Sequence, residues 1–315
     1  MAAPDTSAGS LTVSGVTNPV AATFDLLGDR LTLTILRHAF VHRARRFNQW
    51  MERTGAPPAM LTARLNALVD AGVLVRAPQP GAAERHEYRL TALGLATWEI
   101  LVCVWAWQRE WTAEGAVLPE LVHVECGHRG PPMLMCRGCG RTVTTHDTAV
   151  ELSEDALWHI TSGRRRSSRG SAATSDDAQF EEIMQAIGDR WSASVTGLAL
   201  AGVRRFGEFR DALRMSPTTL TERLSRLCDA GIMARPEDAA EYRLTPRGRG
   251  LFGVFAFLLA WAELAHPEVS ETGLRIRHLG CGEVLAPALR CRGCEARLGR
   301  TDVRFEPMPS LDSLR

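Results

Sequence analysis

The chain contains two copies of one sequence unit, and this internal repeat limits its fold more than any other feature. Gly28-Asp29-Arg30 returns as Gly188-Asp189-Arg190, and Leu61-Thr62-Ala63-Arg64-Leu65 returns as Leu220-Thr221-Glu222-Arg223-Leu224. Further matches follow in the same order through both halves. A duplicated chain has to be interpreted as two copies of one physical unit. We therefore predict a single fold that occurs twice.

The length and composition allow two ordinary domains with apolar cores. The chain has 315 residues, of which 45% are hydrophobic and 23% charged, and its formal net charge is only +1. Any DNA-binding surface must therefore be local. The N-terminus lacks the basic segment and apolar core of a secretory signal, and the longest apolar run, Leu251 to Leu259, is far shorter than the roughly 20 residues that span a bilayer. We expect a cytoplasmic protein with no membrane partner.

Each copy shows the order of elements of a winged helix-turn-helix. In the first copy, a short helix from Phe47 to Arg53 precedes the Gly-containing turn Thr54-Gly55-Ala56-Pro57. An amphipathic helix that ends at Gly72 follows, and its second-copy equivalent begins at Ser216-Pro217, a capping residue before a helix-start proline. Two short β-type runs, Val73 to Arg76 and Glu87 to Leu90, then predict a hairpin.

A long apolar helix is predicted after each hairpin. It runs from about Leu93 to Trp111 in the first copy and from Gly248 to Ala265 in the second. Both helices carry more aliphatic and aromatic surface than one small domain buries. A plain core helix is one interpretation, but we favour packing of the two copies against each other.

These motifs resemble the HxlR family of winged-helix regulators, which are relatives of the MarR group. The resemblance rests on Asp25 to Arg30, Leu61 to Leu65, Asp70 to Val73 and Glu87 to Thr91, and it recurs in the second copy. Family members are typically homodimers that bind palindromic operators, so the resemblance implies a single-chain pseudo-dimer. Where members often carry a cysteine before the N-terminal proline, this chain has Asn18, which puts thiol sensing at that position in doubt.

Six of the eight cysteines fall into two groups of equal spacing, each preceded by a histidine. The expected ligands are His123, Cys126, Cys136 and Cys139 in one copy and His278, Cys281, Cys291 and Cys294 in the other. Such Cys/His knuckles place donors around a tetrahedral metal, and the chemistry favours two structural Zn²⁺ sites over disulfides or redox pairs in the cytosol. His128 is a rival fourth ligand, but its counterpart is Glu283, so the repeat favours His123. Oxidation of the thiolates with zinc release is a further hypothesis, and unchanged zinc content after peroxide would argue against it.

We therefore predict an α+β fold, mainly α, with two tandem winged helix-turn-helix domains, each followed by a small zinc ribbon. The predicted divisions are a disordered N-terminus at 1–16, winged helices at 17–115 and 177–268, ribbons at 116–152 and 269–307, a helical or flexible linker at 153–176, and a tail at 308–315. The arginines of the linker are a minority hypothesis for an arm that contacts phosphate.

A helix of this kind lies in the major groove, and nearby arginines neutralise phosphate. The expected DNA contacts are Arg45, Arg46, Met60, Thr62, Arg64, Asn66 and Arg85 in the first copy and Arg204, Arg205, Thr218, Thr219, Thr221, Arg223 and Arg226 in the second. For Arg64 and Arg223 an ion pair within the protein is an equal alternative. The two helix faces differ, which predicts two non-identical half-sites, and Glu237 and Asp238 predict a short acidic second wing.

The sequence favours a sequence-specific transcriptional regulator whose main partner is double-stranded DNA. The alternative is a zinc-dependent protein-interaction module, whose partner is RNA polymerase, another regulator or a second copy of the chain. We expect no enzyme, because the sequence has no phosphate-binding Gly loop and no nucleophile or acid-base signature.

Overall fold

The computed structural model describes residues 19–79, 82–152, 180–236, 240–267 and 274–307, and only the backbone at residues 82–85 and 152. The predicted N-terminal segment, the linker, the C-terminal tail and the acidic tip of the second wing lie outside the described residues, as does the side chain of Arg85.

The first copy folds into four helices, a hairpin and two further helices. These are α1 (Pro19–Leu27), α2 (Arg30–Val41), α3 (Phe47–Thr54), α4 (Pro58–Asp70), β1 (Leu74–Gln79), β2 (Ala82–Leu90), α5 (Ala92–Leu95) and α6 (Trp98–Trp111). The hairpin is antiparallel, with Leu74 opposite Leu90. The predicted winged helix-turn-helix order is confirmed.

The repeated Gly-Asp-Arg motif starts the second helix of each copy. The Asp29 carboxylate accepts a hydrogen bond from the Thr32 amide, at 3.0 Å, and so caps α2. On α4, Leu61, Leu65 and Leu68 are fully buried, as their helical spacing predicts. The helix stops because the chain turns at Gly72, whose φ of +68° suits glycine.

The second copy repeats this order with a shorter hairpin. Its elements are α7 (Glu181–Ile187), α8 (Arg190–Leu200), α9 (Phe206–Leu213), α10 (Pro217–Asp229), β6 (Met233–Ala234), β7 (Arg243–Leu244), α11 (Pro246–Arg249) and α12 (Phe252–Ala265). Asp189 caps α8, and the Ser216 hydroxyl accepts a hydrogen bond from the Thr219 amide at the start of α10. The predicted start of α10 is therefore confirmed.

The long apolar helix that we predicted after each hairpin is broken into two. The amides of Thr97 and Leu251 bond to the carbonyls of Gly94 and Gly248, three residues back rather than four. This tighter turn separates α5 from α6 and α11 from α12. The apolar pattern did not indicate the break, because the residues on both sides of it remain in the core.

The two copies pack against each other through α6 and α12, as predicted. The indole of Trp107 donates to the Arg247 carbonyl at 2.8 Å, and the indole of Trp261 donates to the Leu93 carbonyl at 3.0 Å. Helix α1 also packs on α12, with the rings of Phe24 and Phe255 at 5.6 Å. One apolar cluster therefore runs through both winged helices.

Within the part of the chain that the structure describes, one stretch, Pro246–Ala265, is long and apolar enough to cross a membrane, and 56% of its most apolar window is buried inside the protein. It contains the interface helix α12, so its apolar character has an explanation within the fold.

The strands that follow the winged helices pair between the copies. They are β3 (Glu120–His123), β4 (Met133–Cys136) and β5 (Thr148–Leu152) in the first copy, and β8 (Leu274–His278), β9 (Pro287–Arg290), β10 (Arg297–Leu298) and β11 (Val303–Glu306) in the second. Strand β3 pairs with β11, β4 with β9, and β5 with β8, all antiparallel. We call this set of strands and their loops the metal-binding module.

The prediction of two separate ribbons at 116–152 and 269–307 is therefore wrong in its grouping. Among the described residues, the pairings within one copy are short, namely the single bridges Val122–Arg129, Met135–Thr142 and Arg277–Val284 and the β9–β10 pair. Each segment is too short to bury a core of its own. Its strands instead pair with strands of the other copy.

Candidate DNA interface and metal centres

The metal-binding module holds two groups of four ligand side chains, and each group combines both copies. The first group is His123, Cys126, Cys291 and Cys294, and the second is Cys136, Cys139, His278 and Cys281. The ligand atoms of each group lie within 4.8 Å of one another. All eight predicted ligands are thus brought together, but the grouping within one copy that we expected is replaced by an exchange between copies.

The distances within each group are short enough for one shared metal ion. In the first group, His123 Nδ1 lies 3.0 Å from Cys126 Sγ and 3.3 Å from Cys294 Sγ, and Cys126 Sγ lies 3.6 Å from Cys291 Sγ. In the second, His278 Nδ1 lies 3.4 Å from Cys139 Sγ and 3.3 Å from Cys281 Sγ. Both histidines are buried.

Each knuckle turns sharply after its second ligand. The residues there, Gly127, Gly140, Gly282 and Glu295, have φ values of 70°, 74°, 77° and 63°. In the two Cys-x-x-Cys knuckles, amides of the turn also point at the first sulfur, as when the Gly293 amide donates to Cys291 Sγ at 3.3 Å. The loop is therefore shaped to stabilise a thiolate.

The local environment lowers the pKa of one cysteine in each centre. For Cys291, burial raises the pKa, but the amides of Cys294 and Gly293 and the thiols of Cys126 and Cys294 outweigh it, so the pKa falls to about 7. The pKa of Cys136 is lowered for the same reasons by the amides of Cys139 and Gly138. Both thiols are therefore easier to convert to the thiolate form that ligates metals.

His128 belongs to neither group. Its carbonyl accepts a hydrogen bond from the His123 amide at 2.9 Å, and its imidazole lies beside Gly293. The structure thus favours His123 as the ligand, in agreement with the repeat.

Helices α4 and α10 present different polar faces to solvent. Ala59, Thr62 and Ala63 are exposed on α4, whereas Thr218, Thr221 and Glu222 are exposed at the equivalent positions of α10. Met60, Asn66 and Thr219 are half-buried, and Arg226 is exposed. Thr62 and Thr221 are alike, but the first helix offers a methyl group at Ala59 and Ala63 where the second offers the hydroxyl of Thr218 and the carboxylate of Glu222.

Two of the expected DNA contacts are instead held inside the protein. Arg64 donates to the Asp29 carboxylate at 2.6 Å, and Arg223 lies 3.3 Å from the carboxylate of Asp189. These are the same aspartates that cap α2 and α8, so each pair fastens the second helix of the motif to the capped helix. The structure therefore favours an ion pair within the protein for both arginines, which the sequence left as an equal alternative to a DNA contact.

The arginines before α3 and α9 stay exposed. The amides of Arg45 and Arg46 both donate to the Gln49 side chain at 2.9 Å, and in the second copy the amides of Arg204 and Arg205 donate to Glu208 at 3.2 and 2.9 Å. These amide bonds fix the backbone of the loop. The side chains are largely exposed, and Arg45 and Arg205 also lie 4.0 and 3.8 Å from the carboxylates of Glu87 and Glu241. The amide bonds also lower the pKa of the Glu208 carboxyl.

A pair of arginines on the wings was not among the predicted DNA contacts. Arg76 on β1 donates to the Asn66 side chain of α4 and lies over the Tyr88 ring, with 5.8 Å to the ring centroid. Arg235, its equivalent after β6, lies over Tyr242 at 5.6 Å. Both arginines are exposed. Comparison of the two repeats position by position would have found them, since both copies have arginine there.

Two winged helix-turn-helix units, each with an exposed second helix and a hairpin beside it, define the class of DNA-binding regulators. The HxlR-like helix-turn-helix family model matches residues 26–116 and 186–270, more than half of the chain. The chain belongs to the HxlR-like helix-turn-helix family. It is a DNA-binding transcriptional regulator and not an enzyme.

The similar proteins have about the length of one copy. Uncharacterized HTH-type transcriptional regulators of Mycobacterium bovis and Mycobacterium tuberculosis are 37% identical over 133 residues, which are 42% of this chain and 84% of theirs. The HTH-type transcriptional regulator YodB of Bacillus subtilis is 32% identical over 91 residues, 27% of this chain and 81% of its own. The chain is thus similar to proteins that hold one unit.

Among solved structures, the crystal structure of the protein PA1607 aligns with a TM-score of 0.35 and 29% identity, covering 44% of this chain and 97% of that chain. A likeness of this extent supports no conclusion about fold or function.

Proposed function

We propose that this regulator binds DNA as a single-chain pseudo-dimer on an operator with two non-identical half-sites. The observation that carries the proposal is the shared interface of α1, α6 and α12, which joins two helix-turn-helix units whose exposed helix faces differ. In homodimeric regulators two identical helices face a palindrome. Here the duplication removes that symmetry, because each copy has its own face.

The residues proposed at base edges lie on exposed or half-exposed parts of the two helices. They are Met60, Thr62 and Asn66 on α4 and Thr218, Thr219, Thr221 and Arg226 on α10. Arg45, Arg46, Arg204 and Arg205, with Arg85 of the first wing, are proposed phosphate contacts. Arg64 and Arg223 are proposed as supports that orient the helices from behind. Regulation takes place on chromosomal DNA, so we place the protein in the cytoplasm.

We further propose that each metal centre holds Zn²⁺ in a closed structural site. With Zn–S bonds of about 2.3 Å and Zn–N bonds of about 2.0 Å, a tetrahedral ion separates two sulfurs by about 3.8 Å and a sulfur from a nitrogen by about 3.5 Å. Most of the ligand distances given above are close to these values. Three thiolates and one imidazole suit zinc, and they leave no position for a reactive water. Metal analysis of the purified chain should find two zinc ions.

Selection of bound fragments from a random DNA pool tests the operator proposal. We expect two different half-sites, centred a whole number of helical turns apart, and binding that weakens steeply with salt because phosphate contacts release counterions. Two identical half-sites would contradict the proposal. Failure to enrich any sequence would favour the protein-interaction module, with RNA polymerase as the first partner to test.

A variant can assign each half-site to its helix. The substitutions Thr218→Ala, Thr219→Met, Glu222→Ala, Ser225→Asn and Arg226→Ala give α10 the face of α4. The selected operator should then become nearly palindromic, with both half-sites like the one that α4 contacts. A matched control is the single change Arg214→Ala, at an exposed residue before α10, which should leave both half-sites unchanged.

A further inference from the structure

The two metal centres connect the halves of the chain in a second place, apart from the interface of α1, α6 and α12. Each centre takes a His-x-x-Cys knuckle from one copy and a Cys-x-x-Cys knuckle from the other. An ion bound in either centre would therefore make coordination bonds to both copies at once. Two such ions in crossed arrangement would link the copies twice.

The backbone of the metal-binding module follows the same exchange. Besides the three strand pairs between copies, the Val124 amide donates to the Asp302 carbonyl and the Leu279 amide donates to the Asp147 carbonyl, both at 2.8 Å. The Arg137 amide, inside a Cys-x-x-Cys knuckle, donates to the Ala286 carbonyl at 2.7 Å. The module is therefore formed only when both copies contribute.

The module has little apolar core with which to hold itself together. Cys136, Val143, Ile276 and Leu285 form a small buried cluster with two residues of α12, while Leu121, Leu289 and Leu298 belong to the large cluster of the winged helices. Domains of this size usually need metals or disulfides for stability. When a metal site exists only in the folded state, the free energy of metal binding becomes free energy of folding. Here the fold that metal stabilises is an assembly of the two copies.

The module rests directly on the helices that join the winged helices. Phe252 and Ala256 of α12 belong to the same buried cluster as Cys136. The ring of Trp105 on α6 meets Phe305 of β11 edge-on, at 5.3 Å, and Arg109 of α6 pairs with Glu120 of β3. A change in the module therefore reaches α6 and α12 through packed side chains.

We propose that each metal ion is a cross-link between the two copies, and that occupancy of both centres fixes the placement of α4 relative to α10. The second half rests on the proposed function, since it concerns operator binding. Loss of metal loosens the assembly, so that fewer molecules hold both helices at the spacing of the operator. Apparent affinity falls in proportion to that fraction, and the advantage of two linked binding units is reduced.

Metal counts on paired ligand variants test the exchanged grouping. C126S/C294S removes two ligands of one centre, so the full-length chain should keep one of its two metal ions. C126S/C139S removes one ligand from each centre, so it should keep neither at a chelator concentration that leaves the wild type loaded. Ligand groups within one copy give the reverse result, which would overturn the proposal.

A measurement on the wild type tests the same ligand grouping without substitutions, in case the variants unfold the whole module. In the cadmium-loaded full-length protein, couplings between cadmium and ligand protons identify the side chains bound to each ion. One cadmium signal should connect to Cys126, Cys291 and Cys294, and the other to Cys136, Cys139 and Cys281. A signal that joins Cys126 with Cys136 and Cys139 would overturn the exchanged grouping.

The effect on DNA is measured with the zinc-loaded, chelated and zinc-restored full-length chain on its selected operator. Chelation should weaken binding by about tenfold or more, since it acts through the competent fraction, and zinc should restore it. Equal affinity with and without metal would overturn the link to operator binding. If the zinc-loaded chain bound no operator at all, the proposed function would fail, while the metal counts and cadmium couplings would still decide the grouping.

Discussion

The winged helices and the metal-binding module use the same duplication in opposite ways. In the winged helices each copy pairs with itself: β1 with β2 and β6 with β7. In the module the main strands pair with the other copy: β3 with β11, β4 with β9 and β5 with β8. The repeated sequence thus determines that both halves form the same elements. Whether those elements pair within one copy or between the copies depends on how the chain connects them and on which apolar surface they can bury.

Removal of the metal should produce the largest difference between the two regions. With a chelator, we expect hydrogen exchange to lose all slow amides in the module, for example at Val122 and Met135, because the module folds with its metal. Amides of α4 and α10, such as those of Leu65 and Leu224, should keep their protection, because the winged helices have a core of their own.

Zinc added back to the same sample is the control and should restore protection. If the module stayed protected after metal analysis had shown both ions gone, the strands would be stable without metal, and the contrast between the two regions would be much weaker than we infer.

Local signals predicted most of the winged helix. Ser216 was predicted to cap α10 and does so, and Asp29 and Asp189, which the sequence marked only as parts of the repeat, cap α2 and α8. The eight metal ligands were also identified, since Cys/His spacing within a knuckle is local. Their grouping was not, because the two copies have equivalent knuckles and spacing along the chain contains no information on which copy a knuckle faces.

The sequence did not predict the break before each interface helix or settle the role of Arg64. Both depend on contacts between residues that are distant along the chain. Thr97 and Leu251 sit at a tight turn because Gly94 and Gly248 approach the carbonyls of Val73 and Ile232. Such approaches join residues that are distant along the chain. The pairing of Arg64 with Asp29 joins a helix to a cap 35 positions away, so helical spacing alone left two roles open.

Substitutions at Gly94 and Gly248 test whether the two winged helices are packed alike. A Cβ on Gly94 would overlap the Val73 carbonyl oxygen, and a Cβ on Gly248 would overlap that of Ile232. Gly94→Ala and Gly248→Ala should each lower the free energy of unfolding by about 3 kcal/mol, as overpacking of a tight contact does. Urea denaturation of the two variants measures both values.

Gly207→Ala is the matched control, since nothing lies within 4 Å of its added methyl on α9. Alanine is the better helix former by up to about 1 kcal/mol, so this variant should be as stable as the wild type or more so. A large difference between Gly94→Ala and Gly248→Ala would show that the copies differ in more than their exposed faces.

The ion pairs behind the recognition helices should reveal a smaller difference between the copies. The Arg64–Asp29 pair is the shorter one, and the aspartate side chain is 18% exposed against 38% for Asp189. We expect Arg64→Ala to cost about 2 kcal/mol of stability and Arg223→Ala about 1 kcal/mol, because water screens the more exposed pair. Thermal or urea unfolding at low and high salt measures this.

DNA-binding measurements distinguish an arginine that holds a recognition helix in place from an arginine that contacts DNA. Arg204→Ala, at an exposed proposed phosphate contact before α9, should leave stability unchanged and reduce the salt slope of operator binding by about one. Arg64→Ala should leave that slope unchanged. A lower slope for Arg64→Ala would mean that this arginine neutralises phosphate after all.

The smallest expected effect concerns the wing arginines that only the structure revealed. Arg76→Ala and Arg235→Ala should leave stability unchanged and each lower the salt slope by about one, if both arginines face phosphate. Only Arg76 also holds Asn66 of α4, so Arg76→Ala should additionally relax base preference in the first half-site. Arg76→Lys retains the charge without the guanidinium fork. It should keep the slope and still relax that preference, which separates positioning of Asn66 from simple attraction to the DNA backbone.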